Sequence, residues 1–257
     1  MLRALIVILD FYEHNISPSK IFHNWSKIKS RVIDLPFSEV RIDLANRDAR
    51  DSGLADGSVD LVVTSPPYIN VFNYHQHYRA SVEALGWNLL AVANSEIGSN
   101  RKHRQNRFLT VIQYCMDMNQ ALLEMKRVCS DQSRIIIVIG RESNVRKTRF
   151  FNAEIVAVLA SRCAGLRPLV RQERVFTNRF GMRIYEDLLH FSPNGSAGSA
   201  SPRDVAIAAL TEAVEYAPEE SKLDLRAALD GAQKVKCSPV YDSRRARAKP
   251  KLRKEIK

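Results

Sequence analysis

A short β-branched run that ends at two prolines is the feature that most constrains how this chain folds. Residues 59–64 read Val-Asp-Leu-Val-Val-Thr, a pattern typical of a buried β-strand. Pro66 and Pro67 follow almost at once, and proline has no N–H to donate to a strand ladder, so the strand must end there. The sequence therefore predicts a strand whose carboxyl end opens into a rigid loop at residues 64–68, Thr-Ser-Pro-Pro-Tyr.

Other segments alternate between helical and strand periodicity along the chain. Apolar spacing predicts helices at 107–129 and 152–164, strands at 40–44 and 134–140, and a pair of strands at 169–176 and 183–191. Asn152 is a plausible N-cap, and residues 178–181 form the turn between the last two strands. This alternation predicts an α/β fold, a three-layer sheet finished by a hairpin.

Composition divides the chain beyond this body. Residues 193–202 are rich in Pro, Gly and Ser, which predicts a flexible linker. We therefore expect a catalytic domain at 1–192, a linker at 193–202, a helical extension at 203–236 and a basic, disordered tail at 237–257.

The net charge of +11 is concentrated in two blocks. Residues 101–183 carry 17 basic and 6 acidic side chains, and residues 234–257 carry 10 and 2. Clustered Lys and Arg are typical of a protein that binds a polyanion, which favours DNA as a partner, although the tail by itself also fits a solubilising segment. No apolar run reaches membrane-spanning length and no signal-peptide pattern opens the chain, so we expect a soluble, cytoplasmic protein without a membrane partner.

The loop after the strand at 59–64 suggests a specific chemistry. An exocyclic amine on a nucleobase is a poor nucleophile because its lone pair is delocalised into the ring. The Ser65 hydroxyl and the Pro66 backbone carbonyl could accept its two N–H hydrogens and pull the nitrogen toward tetrahedral geometry. Tyr68 offers a flat face on which an extruded base could stack. The alternative is a proline-terminated strand followed by a buried tyrosine.

Two stretches around this loop, Asp-Ala-Arg at 48–50 and Leu-Ala-Asp-Gly-Ser-Val-Asp-Leu-Val-Val-Thr-Ser-Pro-Pro-Tyr at 54–68, carry a family resemblance. They resemble the amino-methyltransferases of DNA, and the resemblance continues more weakly over about residues 40–192. It implies a Rossmann-like methyltransferase sheet with a closing β-hairpin, followed here by a C-terminal helical extension. It also implies methyl transfer from S-adenosylmethionine to cytosine N4 or adenine N6, without a covalent enzyme intermediate.

The resemblance assigns roles to individual residues. Ser65, Pro66, Pro67 and Tyr68 would be the catalytic residues, and serine in the first place resembles the cytosine-N4 branch. Asp48 would bind the cofactor, although a turn-capping aspartate fits the sequence equally well. Three alternatives stay open: an adenine-N6 DNA enzyme, an RNA amino-methyltransferase, and a non-catalytic DNA-binding remnant or subunit.

The chain departs from this family in its cofactor loop. The family form is roughly Asp-Pro-Phe-x-Gly-x-Gly, where the glycines allow close backbone approach to the cofactor. Residues 7–11 and 32–37 are the nearest matches, and both lack the two glycines. The chain is therefore expected to be truncated, split or dependent on a second polypeptide that supplies this loop.

Four further residues are candidates for substrate binding. Phe72 and Tyr74 lie in an aromatic segment directly after the loop, and Arg141 and Arg146 lie in a basic turn after the strand at 134–140.

Two other chemistries are disfavoured by the sequence. No metal site is expected, because His75 and His77 lack a third ligand. Cytosine-C5 methylation requires a nucleophilic cysteine, usually after a proline, and none of the four cysteines follows one.

Overall fold

The computed structural model describes residues 1–10, 16–69, 79–98, 103–196 and 198–242. The chain forms two compact units. The smaller takes its described residues from Met1–Asn46, Asn73–Ala93 and Tyr241–Lys257, and the larger from Arg47–Phe72 and Asn94–Val240. The predicted site residues Phe72 and Tyr74 and most of the predicted basic tail lie outside the described residues.

Four helices lie among the described residues of the first hundred. They are α1 (Leu2–Asp10), α2 (Pro18–Ile33), α3 (Arg79–Ala84) and α4 (Leu89–Ser95). Ser17 caps α2, because its hydroxyl accepts the Lys20 N–H at 3.3 Å, and Pro18 supplies a φ already suited to the first helical position. No described helix combines the length and the hydropathy that crossing a membrane requires.

The larger unit is built on a four-stranded sheet and a separate short hairpin. Its strands are β1 (Val59–Thr64), β2 (Cys129–Gly140), β3 (Ser143–Val145), β4 (Thr148–Phe150), β5 (Arg167–Thr177) and β6 (Arg183–Ser192). The sheet order is β1-β2-β6-β5, and β3 pairs with β4. β1 and β2 run parallel, whereas β6 is antiparallel to both β2 and β5.

The helices of the larger unit cover one face of this sheet. They are α5 (Leu109–Val128), α6 (Asn152–Val158), which continues as a π-helical turn at Leu159–Cys163, α7 (Pro202–Tyr216) and α8 (Glu219–Gly231), followed by a 3-10 turn at Ala232–Lys234. Ile135, Ile137 and Ile139 of β2 are fully buried in the core that these helices form. Since Leu210 and Leu225 belong to the same core, the predicted helical extension is packed into the larger unit.

The opposite face of the sheet is open at β1. Leu61 and Val63 point away from the core and are 55% and 63% exposed. Within the described part of the chain, β1 is also the first strand of the sheet order, so it pairs along one side only, with β2. Strands of parallel sheets are normally buried on both faces, and exposed edge strands usually carry charged side chains. β1 is therefore unusually apolar for an exposed edge strand.

The predicted α/β class, with a closing hairpin and a C-terminal helical extension, is confirmed. Two local predictions are wrong. Residues 40–44 form no strand, because an alternating segment becomes one only when a neighbouring strand accepts its backbone hydrogen bonds. Asn152 is the first residue of α6, and Phe151 occupies the cap position.

Residues 193–202, predicted as a linker, lie close to the end of the π-helical turn. A Cβ on Gly195 would collide with the Gly165 carbonyl, and one on Gly198 would collide with the Cys163 carbonyl. Lys126 donates to the carbonyl oxygens of Gly165 and Gly195, at 2.7 and 3.4 Å. Glycine is therefore used here for close backbone contact, and the flexibility of this linker stays a prediction.

A buried charge cluster joins distant parts of the larger unit. The Arg50 side chain is 1% exposed and lies between Asp48 and Asp117, at 2.7 and 3.4 Å. Asp117 also accepts the backbone N–H and the hydroxyl of Ser238, at 2.7 and 2.6 Å. The C-terminal segment is thus attached to α5 through one fully buried carboxylate.

We predict that Asp117→Ala lowers the free energy of unfolding by about 3–5 kcal/mol, because Arg50 would keep a buried charge with one partner fewer. Chemical denaturation followed by circular dichroism measures the change. Asp131→Ala, which removes an exposed carboxylate, is the matched control and should change it by less than about 0.5 kcal/mol. Equal effects of the two substitutions would show that the cluster does not stabilise the fold.

Candidate functional site

The loop after β1 lies at the edge of the sheet where the carboxyl ends of two parallel strands meet. Thr64, the last residue of β1, pairs with Ile137, and β2 continues to Gly140. Because β6 is antiparallel, its first residues reach the same edge, and Glu186 pairs with Gly140. Ligands of open α/β sheets bind outside such carboxyl ends, so this edge is the natural place for a site.

The Tyr68 ring packs directly on Gly140. A Cβ built on Gly140 would lie 2.7 Å from Tyr68 Cε2 and 3.1 Å from Tyr68 Cζ, closer than side-chain packing allows. Only glycine at the end of β2 therefore leaves room for the ring. This contact fixes the orientation of Tyr68 relative to the sheet.

A second contact holds the residue after Tyr68. Ile69 is fully buried, and its backbone N–H donates to Asn152 Oδ1 at 3.4 Å. The same oxygen accepts the Ser143 hydroxyl at 3.1 Å. Asn152, predicted as a cap, instead connects the loop to the start of α6, a role that no local sequence pattern indicates.

The first two residues of the loop keep their acceptors available. Ser65 is exposed and Pro66 is buried. Among the described residues, none hydrogen-bonds the Ser65 hydroxyl or the Pro66 carbonyl. Neither Pro66 nor Pro67 has an N–H, so the loop cannot satisfy these acceptors from its own prolines. Both oxygens therefore keep an unused capacity to accept hydrogen bonds.

A cavity of about 480 Å³ opens beside Tyr68. Its volume falls in the range of small-ligand sites. The side chains and backbone that line it are those of Tyr68, Gly140, Arg141, Glu142, Arg183, Ile184, Tyr185 and Glu186. The sequence does not predict Tyr185 and Arg183 as site residues, because the β6 pattern shows only an amphipathic strand and not which end reaches β1.

The two arginines predicted to contact substrate are both paired with carboxylates. Arg141 donates to Glu173 and, at 3.4 Å, to Asp187, and its guanidinium carbon lies 5.3 Å from the Tyr185 ring centroid. Arg146 pairs with Asp224. Arg141 therefore lies at the cavity as predicted, but in this conformation neither side chain is an unpaired cation.

Asp187 is a buried acid between two arginines. Burial by itself would raise its pKa, but hydrogen bonds from Arg171 and Arg141 hold the pKa of Asp187 below its usual value. Arg171 Nε donates to Asp187 at 3.2 Å, and Arg171 also pairs with Glu154 at 2.7 Å. A second cavity, of about 570 Å³, adjoins this cluster. The acid stays ionised at neutral pH, so it orients Arg141 rather than exchanging protons.

Asp48, predicted to bind a cofactor, is bound by Arg50. Its Oδ1 accepts Arg50 Nε at 2.8 Å and the Arg50 backbone N–H at 3.0 Å, and its Oδ2 accepts Arg50 Nη2 at 2.7 Å. Both oxygens are engaged and the side chain is buried. The cofactor role of Asp48 stays a prediction.

The cysteines are poorly suited to nucleophilic chemistry. Burial raises the pKa of the Cys115, Cys129, Cys163 and Cys237 thiols, so each is held as the neutral thiol near neutral pH. Within the described ranges, no group of three or more His, Cys, Asp or Glu side chains is arranged to hold a metal ion.

Comparison with known proteins gives distant matches to DNA-modifying enzymes, and no family model matches the chain. The chain is 23% identical over 128 residues to the type II methyltransferase M.MjaII of Methanocaldococcus jannaschii, a match that covers 50% of this chain and 23% of that protein. It therefore spans about a quarter of the length of that relative.

Two solved structures of a Thermus thermophilus protein, provisionally identified as a DNA modification methylase, also match. Each is 18% identical and covers 60% of this chain. The two matches cover 54% and 56% of the Thermus chain, with TM-scores of 0.31 and 0.33. The second structure is complexed with S-adenosyl-L-methionine.

We predict that Gly140→Ala displaces the Tyr68 ring without unfolding the larger unit, because the added methyl group occupies the space of the ring edge. The Tyr68 ring signal in an NMR spectrum of tyrosine-labelled protein, assigned with Tyr68→Phe, should shift. Gly231→Ala is the matched control, since a Cβ there meets only Leu109 Cδ2 at an ordinary 3.6 Å. An unshifted Tyr68 signal in Gly140→Ala would contradict the proposed contact.

Proposed function

We propose that this chain is the catalytic part of a DNA amino-methyltransferase, with S-adenosylmethionine as the methyl donor and cytosine N4 as the favoured acceptor. The observation that carries the proposal is the loop after β1, where Tyr68 lines a cavity and the acceptors of Ser65 and Pro66 have no hydrogen-bond partner among the described residues. The similarity to a type II methyltransferase supports the same reaction class.

The roles that we propose for the loop residues rest on their chemistry and on their adjacency in the loop. An amino group that enters the site carries two N–H hydrogens, and the Ser65 hydroxyl and the Pro66 carbonyl are two acceptors on adjacent residues. Two such hydrogen bonds draw the nitrogen lone pair out of the ring. Tyr68, which packs against Gly140 and lines the cavity, is the aromatic ring on which an extruded base would stack. The rate of methyl transfer would be raised by positioning of the amine, which is effective when the acceptors are fixed in advance.

We infer that the S-adenosylmethionine site needs a segment beyond the described residues. The one carboxylate that the family resemblance assigns to the cofactor, Asp48, has both oxygens bound by Arg50. The glycine-containing loop of the family is absent from the sequence. We therefore assign this chain the amine-binding half of the reaction, and the cofactor-binding half to a polypeptide segment that these 257 residues do not contain.

The open edge of β1 is the place where that segment would join. Leu61 and Val63 expose apolar surface on one face, and the free side of β1 can accept a further parallel strand. A strand added there would end beside the Tyr68 loop, because parallel neighbours share their carboxyl ends. A glycine loop at the end of that strand would lie beside Ser65.

We predict that co-expression of this chain with the polypeptides encoded next to it, in a host without DNA methylation, produces N4-methylcytosine in the host DNA. Mass spectrometry of hydrolysed nucleosides measures the product. Ser65→Ala should lower its formation at least about 100-fold, because one positioned acceptor is lost. Ser199→Ala, another exposed serine without a partner among the described residues, is the matched control.

Other products would discriminate among the alternatives. N6-methyladenine would keep the amine chemistry and correct the acceptor base, and methylation confined to RNA would correct the polymer. DNA binding by the chain with no methylated base under any co-expression would favour the non-catalytic DNA-binding subunit and contradict the proposed enzyme.

We also predict that the isolated chain binds S-adenosylmethionine weakly, and that the partner segment restores binding. Isothermal titration calorimetry of the chain alone and of the complex measures both affinities. Leu61→Lys combined with Val63→Lys should weaken assembly at least about tenfold, because charges would replace the exposed apolar surface of β1. Leu223→Lys, at a 78% exposed leucine of α8, is the control. Micromolar binding by the chain alone would show that the two-part cofactor site is wrong.

A further inference from the structure

The turn between β5 and β6 exposes large apolar side chains next to the Tyr68 cavity. Phe180 is 70% exposed and Met182 is 57% exposed. The turn is held in one shape, because Asn178 Oδ1 accepts the backbone N–H groups of Phe180 and Met182, at 2.9 and 3.0 Å. Gly181 allows the turn with a φ of +79°. An exposed phenylalanine and an exposed methionine on one turn with a fixed backbone form a candidate contact surface for a partner.

The charge of this turn indicates the chemistry of that partner. Residues 174–183 include Arg174, Arg179 and Arg183 and no Asp or Glu. Arg174 pairs with Glu186 at 3.3 Å, whereas Arg179 and Arg183 form no ion pair with any described residue. They differ in this from Arg141 and Arg146, which are neutralised by carboxylates. Among the described residues near the cavity, the unpaired cations therefore lie on the hairpin.

The turn is also continuous with the cavity. Arg183 and Tyr185 line it, and Phe180 lies three residues before Arg183 in the same hairpin. The Arg179 guanidinium carbon lies 4.7 Å from the Phe180 ring centroid, so a cation and an aromatic face are presented together. Arginine binds phosphate oxygens and an exposed aromatic ring stacks on bases, which together fit a nucleic acid.

We propose that the end of the β5–β6 hairpin, residues 176–183, contacts duplex DNA beside the cavity. Phe180 inserts into the gap that the extruded base leaves in the base stack, and Arg179 and Arg183 bind the flanking phosphates. This inference rests on the proposed function, because a base in the Tyr68 cavity leaves a gap in the duplex. Apolar side chains inserted between bases are a known way to offset the cost of unstacking. Phe180 is already exposed on a turn whose backbone is held by Asn178, and the Arg179 guanidinium would move from its ring to a flanking phosphate.

The test compares two duplexes of one sequence, one fully paired and one with a single abasic site, and uses the 257-residue chain. The abasic duplex already has a gap, so the wild-type chain should bind it about tenfold more tightly than the paired duplex. Phe180→Ala should abolish this preference and leave the affinity for the paired duplex nearly unchanged. Leu223→Ala, at an exposed leucine of α8, is the control and should keep the preference.

The phosphate contacts of Arg179 and Arg183 are tested by the salt dependence of DNA binding. Arg179→Gln combined with Arg183→Gln should weaken binding to both duplexes equally and reduce the salt slope of binding by about two, because two phosphate contacts are lost. Arg226→Gln, at an exposed arginine of α8, is the control and should leave the slope unchanged. Thermal unfolding of all variants should match that of the wild type, since the substituted side chains are exposed.

The outcomes separate this inference from the proposed function. If Phe180→Ala keeps the abasic preference while the complex still methylates DNA, the hairpin proposal is wrong and the enzyme proposal is unaffected. If the chain binds single-stranded RNA more tightly than either duplex and Phe180→Ala removes that binding, the hairpin is an RNA surface and the DNA proposal is wrong. If the chain binds neither duplex and no methylated base forms, both proposals fail.

Discussion

The parallel pairing of β1 with β2 determines where every group of the candidate site lies. Thr64 opposite Ile137 places the residues after β1 beside the last residues of β2, and this register brings Tyr68 onto Gly140. A shift of one residue would place side chains of β2 on the wrong face of the sheet and remove the glycine from beneath the ring. The cavity, the loop and the start of β6 all meet at this edge because the strand directions require it.

Much of the fold was predictable because its periodicities are strong. The run at 59–64, the helix over 109–128 and the hairpin strands all follow from apolar spacing and turn residues. The segment at 40–44 has the same alternation yet forms no strand, since alternation describes which side chains could be buried and not whether a neighbouring strand is present. The alternating pattern of one segment does not show whether a second strand is available to pair with it.

The part of the candidate site that lies in one stretch of sequence was predictable, and the residues brought to it by long-range contacts were not. The loop at 64–68 is a local pattern, and its position after a strand is enough to indicate a site. Gly140, Asn152 and Tyr185 take part through contacts with a loop that is distant from all three in sequence, so no local pattern identifies them. Ion pairs were equally hidden, because the carboxylates that pair with Arg141 and Arg146 come from β5, β6 and α8.

The open edge of β1 has a consequence for the life of the chain in a cell. In the part of the chain that the structure describes, β1 pairs along one side only. Such a strand, with Leu61 and Val63 exposed, can pair with the same strand of another copy, which is the usual route to edge-to-edge aggregation. Such a surface is protected from aggregation only while another segment covers it. If the proposed partner segment covers β1, chains made in excess over that segment would be exposed to the chaperones and proteases that remove aggregation-prone proteins, and we expect the two to be made in matched amounts.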